Sequence, residues 1–410
     1  MKRFLLALGL LAATLSSPSS AQVARVVTLA DSLVGAVGGI AVDRVGNVYS
    51  ADFRDSVWRI AADGRVSKFA DGLYGASGNY FDSQGNLLQS NFFGNTISRI
   101  DRTGKVETWV EEGLNGPVGL TITRDGKLYV CNCSGNTISV VDEDRVAREF
   151  SGGDLFRCPN GITSTPDGRL FVVNFSDGNV LELDSEGNAS VLATIPGPGN
   201  GHIAVARGSL YVTAFQSHQI YRVDMDGTVE RVAGSATPGE VDGPPDDARF
   251  IFPNGIAVAP SGDRLFVNDY INRSPPTLDI PPVPLANIRL IKLANLAEQM
   301  ASALQSGGIE ALVAVHAAYR ANPATAGAFT QVQLNVLGYQ LMQGGNLAAA
   351  VRVFELNTED YPNAFNPWDS LGEGYMNAGR TEDAIRAYER SLELNPGNQN
   401  AIDMLARLKG

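Results

Sequence analysis

Three asparagines and one histidine are the residues of this sequence that could do chemistry together. Asn160, Asn200 and Asn254 each stand directly before a glycine, and His202 follows the glycine after Asn200. Amide oxygens can bind a hard cation such as Ca²⁺, and an imidazole can act as a general base. The sequence contains no nucleophile elbow, phosphate-binding loop, CxxC pair or HExxH motif, so these four residues are the candidates for a catalytic or metal site.

These residues sit in a repeat that runs through residues 22–293. Each unit begins with a glycine and continues with four short apolar strands separated by turns rich in Gly, Asp and Asn. A period of about 40 residues with four short strands is typical of propeller blades. The sequence therefore predicts a six-bladed β-propeller. Successive starting glycines are 39, 41, 42, 40 and 54 residues apart: Gly39, Gly78, Gly119, Gly161, Gly201 and Gly255.

The last repeat provides three strands before helical sequence begins. The N-terminal segment 24–30 resembles the fourth strands of the other repeats. We therefore expect this segment to complete blade six, because closure removes an open sheet edge that would favour aggregation.

The residues flanking the starting glycines should surround the mouth of the central channel. The preceding residues are Gly38, Ser77, Val118, Asn160, Asn200 and Asn254, and none is Asp or Glu. Asn79 and His202 follow their glycines, where the other repeats have Ile or Leu. Three interpretations remain open: a metal site formed by Asn160, Asn200 and Asn254 with His202 as base, turn residues without further role, or a neutral ligand site that includes Ser77 and Asn79.

The stretch from Ala233 to Val258, with Pro253-Asn254-Gly255, resembles the NHL repeat. Asn160 and Asn254 each lie in Pro-Asn-Gly, which is similar to the calcium-ligand pattern of gluconolactonases and paraoxonases. This resemblance implies a propeller scaffold that hosts binding modules, lactone hydrolases and lyases alike. Fold membership alone therefore leaves the function open.

Two further patterns concern the ends of the second strands. Each second strand closes with a similar tripeptide, such as Ala51-Asp52-Phe53 or Ser90-Asn91-Phe92. The middle residue of this closing tripeptide is Asp or Asn in five of the six blades, and we interpret it as a turn residue that bonds nearby backbone. Cys133 closes a second strand, and Cys158 precedes the first strand of the next blade. Strand polarity places both on the same face of the propeller. We expect a Cys133–Cys158 disulfide, which leaves Cys131 free.

Residues 294–410 change to helical spacing and resemble tetratricopeptide repeats. Leu, Gly, Ala, aromatic and Pro positions recur after 34 residues, which predicts repeats at about 331–364 and 365–398. This region is either a small stabilising appendage or a groove for a peptide or protein partner. By resemblance the groove positions are Asn335, Tyr339, Met342, Asp369, Glu373 and Met376.

The N-terminus predicts export. Lys2 and Arg3 precede an apolar segment, and small residues follow near Ala21, so residues 1–21 are typical of a signal peptide. We therefore expect a periplasmic or secreted protein without stable membrane insertion. Removal of residues 1–21 leaves 30 basic and 44 acidic residues, a net charge of −14, which argues against nucleic acid as a partner.

The sequence thus favours an exported, non-catalytic binding protein. The propeller mouth would bind a small-molecule ligand, and the helical tail would bind a protein. The alternative is a calcium-dependent lactone or ester hydrolase of gluconolactonase-like type. No residue favours a lyase over this hydrolase.

Overall fold

The computed structural model describes residues 23–271 and 285–410. Residues 23–293 form six four-stranded antiparallel sheets within this described part. The sheets follow one another along the chain and pack face to face as the six blades of a propeller, which confirms the predicted fold class. The expected signal peptide, residues 1–21, lies outside the described residues.

The first five blades are each built from four consecutive strands, the first innermost. Blade one contains β2 (Ile40–Val42), β3 (Val48–Ala51), β4 (Val57–Ile60) and β5 (Val66–Ala70), and blade two β6 (Ala76–Phe81), β7 (Leu87–Asn91), β8 (Thr96–Ile100) and β9 (Val106–Val110). Blade three contains β10 (Pro117–Ile122), β11 (Leu128–Asn132), β12 (Thr137–Val141) and β13 (Ala147–Gly152). Blade four contains β14 (Pro159–Ser164), β15 (Leu170–Asn174), β16 (Asn179–Leu183) and β17 (Ala189–Thr194), and blade five β18 (Ile203–Ala206), β19 (Ser209–Ala214), β20 (Gln219–Val223) and β21 (Val229–Gly234).

Blade six joins the two ends of the propeller sequence. It contains β22 (Ile256–Val258), β23 (Arg264–Ile271), β24 (Leu285–Leu293) and the N-terminal strand β1 (Val23–Val34). Strand β1 pairs antiparallel with β24 from Val23–Leu293 to Val34–Leu285, so it occupies the outer position of the last blade. Its backbone groups cover the edge that β24 would otherwise expose.

Burial falls from the second strand of each blade to the fourth. All five residues of β7, β11 and β15 are buried, whereas most residues of β5 and β9 are exposed or half-buried. The buried side chains of neighbouring blades form shared clusters, such as Ala51 and Val57 of blade one with Leu87 of blade two. The core is therefore a ring of inter-blade interfaces, and each blade needs both neighbours to bury its two faces.

The starting glycines bring neighbouring blades into backbone contact around the axis. A Cβ atom on Gly39 would lie 2.7 Å from the Cα of Gly78, and one on Gly161 would lie 2.7 Å from the Cα of His202. A Cβ on Gly255 would lie 2.7 Å from the carbonyl oxygen of Gly38, which closes the ring. Glycine is needed here because any side chain would push two blades apart.

The C-terminal part contains six helices within the described residues. Their bounds are α1 (Leu296–Ala321), α2 (Gln331–Gln343), α3 (Leu347–Asp360), α4 (Phe365–Asn377), α5 (Thr381–Leu394) and α6 (Gln399–Lys409). Helices α4 and α5 begin 34 residues after α2 and α3. Helix α1 has one non-helical residue, Gly308, which divides it into two segments. Among the described residues, no helix has the length and hydropathy needed to cross a bilayer.

The helical tail follows β24 directly and contacts the turns of blades five and six. Asn295 caps α1 and forms a capping box with Glu298. The Arg207 guanidinium donates to the carbonyl oxygens of Ala294 and Gly262, and the side-chain amide of Asn322 donates to the carbonyl of Arg207. Arg207 lies in the turn between the first and second strands of blade five. The tail therefore contacts the face of the propeller where these turns lie.

The glycine ring predicts a large cost for one added methyl group. We expect Gly161→Ala to destabilise the propeller by about 3 kcal/mol or more, because its Cβ would overlap the backbone of blade five. Urea unfolding followed by circular dichroism measures this change. Gly327→Ala is the matched control, because nothing lies within 4 Å of a Cβ at that position. Equal stability of the two variants would contradict backbone packing at the axis.

Candidate ligand-binding mouth and channel

Two cavities lie along the propeller axis, on opposite sides of the glycine ring. The smaller, here called the mouth, has a volume of about 290 Å³ and lies where the second strands end. The larger, here called the channel, has a volume of about 750 Å³ and extends to the turns between first and second strands. His202 is the residue common to both linings.

Aromatic side chains from five of the six blades line the mouth. They lie at the ends of the second strands or within two residues after them: Phe53, Phe92, Phe175, Phe215 and Tyr270. Their rings contact one another across blade boundaries, with centroids 5.6 Å apart for Phe53 and Phe92 and 5.3 Å for Phe175 and Phe215. Phe53 is 36% exposed, and the other four are half-buried, so these rings present apolar faces to the cavity.

The backbone fixes these rings to the loops that enter each blade. The N–H of Phe92 donates to the carbonyl of Gly75, that of Phe175 to Cys158, and that of Tyr270 to Ile251. In blades four and six, the polar residue before the ring supports the same loop. The Asn174 side chain accepts from the Arg157 N–H, and this agrees with the turn chemistry expected for that position.

The disulfide takes the place of an aromatic residue in blade three. Cys133, which follows β11, is bonded to Cys158 of blade four, and both line the mouth. The remaining cysteine, Cys131, is buried with a free thiol. The bridge thus links two neighbouring blades at the rim of the cavity.

Two of the three candidate asparagines reach the mouth, and the third does not line it. The Asn160 side-chain amide donates to the Gly201 carbonyl at 2.7 Å, and that of Asn254 donates to the Val37 carbonyl at 2.6 Å. Asn200 is turned toward blade four, where its amide lies 3.4 Å from the Asn179 carbonyl oxygen. Asn160 and Asn254 therefore tie their blades to the next blade around the ring, and the expected convergence of three asparagines is not formed.

Ser77 and Asn79 lie in different cavities. Ser77 lines the mouth, whereas Asn79 lines the channel beyond the glycine ring. His202 is buried, its backbone N–H donates to the Thr213 hydroxyl, and burial lowers the pKa of its imidazole to about 4. His202 is thus neutral at pH 7, which leaves it able to accept or donate a hydrogen bond.

These side chains do not fit a calcium site. Among the described residues, the mouth lining offers the side-chain oxygens of Asn160, Asn254 and Ser77, and it includes no carboxylate. Calcium usually takes six to eight oxygen ligands, several of them from Asp or Glu. Within residues 23–271 and 285–410, no group of three or more His, Cys, Asp or Glu residues could hold a metal ion.

The candidate groove residues of the helical tail are half-buried on α2 and α4. The Tyr339 hydroxyl donates to Glu373 at 2.9 Å, and Asp369 accepts from the side-chain amides of Asn398 and Asn400. Met342 and Met376 pack at the edges of two helical cores. The buried Asn335 Oδ1 has no hydrogen-bond partner among the described residues.

The aromatic lining is the feature that our sequence reasoning missed. In the closing tripeptides, the middle residue indicates a turn, whereas the third residue indicates the lining of the mouth. That third residue is aromatic in five blades and a bridged cysteine in the sixth. A hydrophobic residue repeated at a loop position, once in every blade, is a signal for a binding surface.

Comparisons with known proteins support both parts of the fold. Residues 365–398 match the tetratricopeptide repeat model. A gluconolactonase of Xanthomonas campestris is 18% identical with a TM-score of 0.53, over 67% of this chain and 92% of that chain. An auxiliary nutrient binding protein of Bacteroides ovatus is 14% identical with a TM-score of 0.52, over 66% of this chain and 77% of that chain. No curated protein matches the sequence. At these identities the structures are alike in fold alone.

Burial of His202 predicts that stability depends on pH. The unfolded histidine gains a proton below about pH 6.5, whereas the folded one gains it only near pH 4. Stability should therefore fall as the pH is lowered from about 6.5 to 4, by up to about 3 kcal/mol from this residue. His202→Gln should flatten this part of the profile.

Urea unfolding at intervals between pH 7 and pH 4 measures the effect. His218→Gln is the comparison variant. Its ring is half-buried, which lowers its pKa as well, so this variant should flatten the profile less. Parallel profiles for the wild type and His202→Gln would show that the imidazole is not held neutral by burial.

Proposed function

We propose that this chain is a non-catalytic binding protein whose mouth holds an uncharged small molecule and whose helical tail binds a protein partner. The observation that carries the proposal is the lining of the mouth. Aromatic residues come from five blades, and the described part of the lining contains no Asp, Glu, Lys or Arg. The tetratricopeptide match at residues 365–398 supports the second half, because such repeats are interaction modules.

The lining indicates the chemical class of the ligand. Aromatic faces stabilise flat apolar surfaces by stacking. A charged group would lose its hydration in this cavity without gaining a partner, which is costly. The Asn254 Oδ1 is buried without a hydrogen-bond partner among the described residues, so it can accept from a ligand. The ligand should therefore have one apolar face and a hydrogen-bonding edge, as a sugar ring or an aryl glycoside has.

The surroundings of the helical groove define what a partner would meet there. Helix α2 contains no charged residue, and Asp369 and Glu373 are the charged residues of α4. The groove is thus polar with a negative side. A peptide that offers amide or basic donors would match it, and hydrogen bonds to Asn335 Oδ1 would satisfy an atom that is otherwise without a partner.

Export to the periplasm or the medium is part of this proposal. The N-terminal segment with Lys2, Arg3 and an apolar stretch supports it, as does the Cys133–Cys158 disulfide. Disulfides persist mainly in oxidising compartments. The nutrient-binding propellers of Bacteroides show that this fold is used in proteins named for binding. This likeness agrees with the proposal at the level of the fold.

The binding proposal can be tested with 4-nitrophenyl β-D-glucopyranoside, which combines an aryl ring with an uncharged sugar. We expect saturable binding by isothermal titration calorimetry, and at least a tenfold loss in Phe215→Ala, because this ring lines the mouth and packs against both Phe175 and Tyr270. Phe53→Ala, on another blade, is the second variant if the first does not fold. Phe329→Ala is the control, because its side chain is exposed on the helical tail. Absence of binding, or equal affinity in all three variants, would contradict the proposed mouth.

The competing hypothesis is a calcium-dependent lactone hydrolase, which the gluconolactonase likeness in fold and the asparagines of the mouth suggest. It predicts that calcium raises the melting temperature after chelation and that glucono-δ-lactone is hydrolysed above the background rate. Our proposal predicts neither effect, because the described lining lacks carboxylates. Calcium-dependent turnover that is lost in Asn160→Ala would overturn the binding proposal in favour of the hydrolase.

A further inference from the structure

The channel contains one layer of side chains in which two blades differ from the other four. The layer consists of the six residues that directly follow the starting glycines. All six line the channel: Ile40, Asn79, Leu120, Ile162, His202 and Ile256. Four are aliphatic, and two can form hydrogen bonds. No charged group belongs to this layer.

The two polar residues belong to opposite blades. Asn79 is in blade two, and His202 belongs to blade five, so three blade positions separate them in a ring of six. They therefore lie on opposite walls of the channel, with aliphatic side chains between them on both sides. A molecule that fills the channel at this level would lie between Asn79 and His202.

Asn79 has no structural partner that explains its presence. Its side chain is 7% exposed, and both its Nδ2 and its Oδ1 lack a hydrogen-bond partner among the described residues. Leaving both groups unpaired is costly, so such groups in folded proteins usually meet water or a ligand. The fold does not require Asn here, because Ile40, Leu120, Ile162 and Ile256 occupy the equivalent positions.

We propose that the channel is a second small-molecule site, separate from the mouth, that binds an uncharged cyclic amide between Asn79 and His202. A primary amide presents one donor and one acceptor side by side. A cyclic amide presents the complementary pair, because the ring holds its N–H and C=O on the same edge. The methylene groups of such a ring would contact the aliphatic walls. The opposite edge of such a ring would face His202.

The entrance of the channel is built differently from its interior. Arg44, Asp82 and Arg124 line the turns at the open end, and the Arg44 guanidinium donates to the Ser83 carbonyl. These charges lie among exposed turns, whereas the Asn79 layer lies deeper, next to the glycine ring. Charged compounds can therefore gather at the entrance, but the interior offers them no counter-charge at the level of Asn79.

The three histidines of the chain provide a direct reporter. With histidine rings labelled at ¹³Cε1, NMR gives one signal each for His202, His218 and His316, assigned with single His→Gln variants. The probe is 2-pyrrolidinone, and the matched probe is N-methyl-2-pyrrolidinone, which lacks the N–H donor. We expect a saturable shift of the His202 signal alone, and at least tenfold weaker binding of the methylated probe.

Asn79→Leu separates a binding role from a structural one. This variant introduces the residue that blade three has at the equivalent position, so it should fold and raise the melting temperature by about 2–4 °C. It should also weaken 2-pyrrolidinone binding at least tenfold. Phe215 lines the mouth and not the channel, so Phe215→Ala should leave the response of His202 to 2-pyrrolidinone unchanged. Binding in the channel is therefore tested separately from binding in the mouth.

Four outcomes would overturn the inference. They are no saturable shift of the His202 signal up to 100-fold excess over protein at about millimolar protein concentration, equal affinity for the two probes, a lower melting temperature in Asn79→Leu, and loss of the response in Phe215→Ala. The first would mean that the channel holds water only. The third would mean that Asn79 stabilises the fold through groups outside the channel.

Discussion

Backbone contact between the starting glycines is the constraint on which the rest of this structure depends. Each of these glycines brings one blade within van der Waals distance of the next, and the contact of Gly255 with Gly38 closes the circle. Because no side chain fits at the ring, the channel narrows there and divides into two cavities. The residue before the glycine lines the mouth in four of the six blades, and the residue after it lines the channel in all six. Packing at the glycine ring therefore determines whether a side chain is accessible to a ligand in the mouth or to a ligand in the channel.

Closure of the ring requires the two ends of the propeller sequence to be joined, and buried polar contacts do this. Arg289 on β24 is fully buried and forms ion pairs with Asp242 and Asp269, and it also donates to two backbone carbonyls. Asp242 in turn accepts from the backbone and hydroxyl of Thr28 on β1. Burying an arginine is costly unless it is paired and hydrogen-bonded, and these contacts satisfy both terminal nitrogens of Arg289, whereas its Nε has no partner among the described residues. The long interval before Gly255 thus supplies the acceptors that hold β1, β24 and blade five together.

The repeat predicted the architecture because spacing and turn residues are local signals, and six copies reinforce one another. The position of β1 followed from counting strands, although the strand extends from Val23 to Val34 rather than over 24–30. The site was harder to predict, because it depends on side-chain direction. Asn160, Asn200 and Asn254 occupy equivalent positions, yet the Asn200 amide turns to blade four while the other two donate to the next blade. No spacing argument separates them. The aromatic lining was within reach of the sequence, since its period is the period of the blades.

The two ends of the propeller have different surroundings, and this difference argues for a division of roles. The mouth is rimmed by aromatic rings and a disulfide, on the face where second strands end. The helical tail contacts the opposite face, through Arg207 and Asn322, where the channel opens between its turns. A protein bound to the tail would therefore stand nearer to the channel than to the mouth. His202 lines both cavities, so a ligand in either cavity would lie beside the same side chain. Among the described residues, the two proposed sites therefore have separate linings except at this one position.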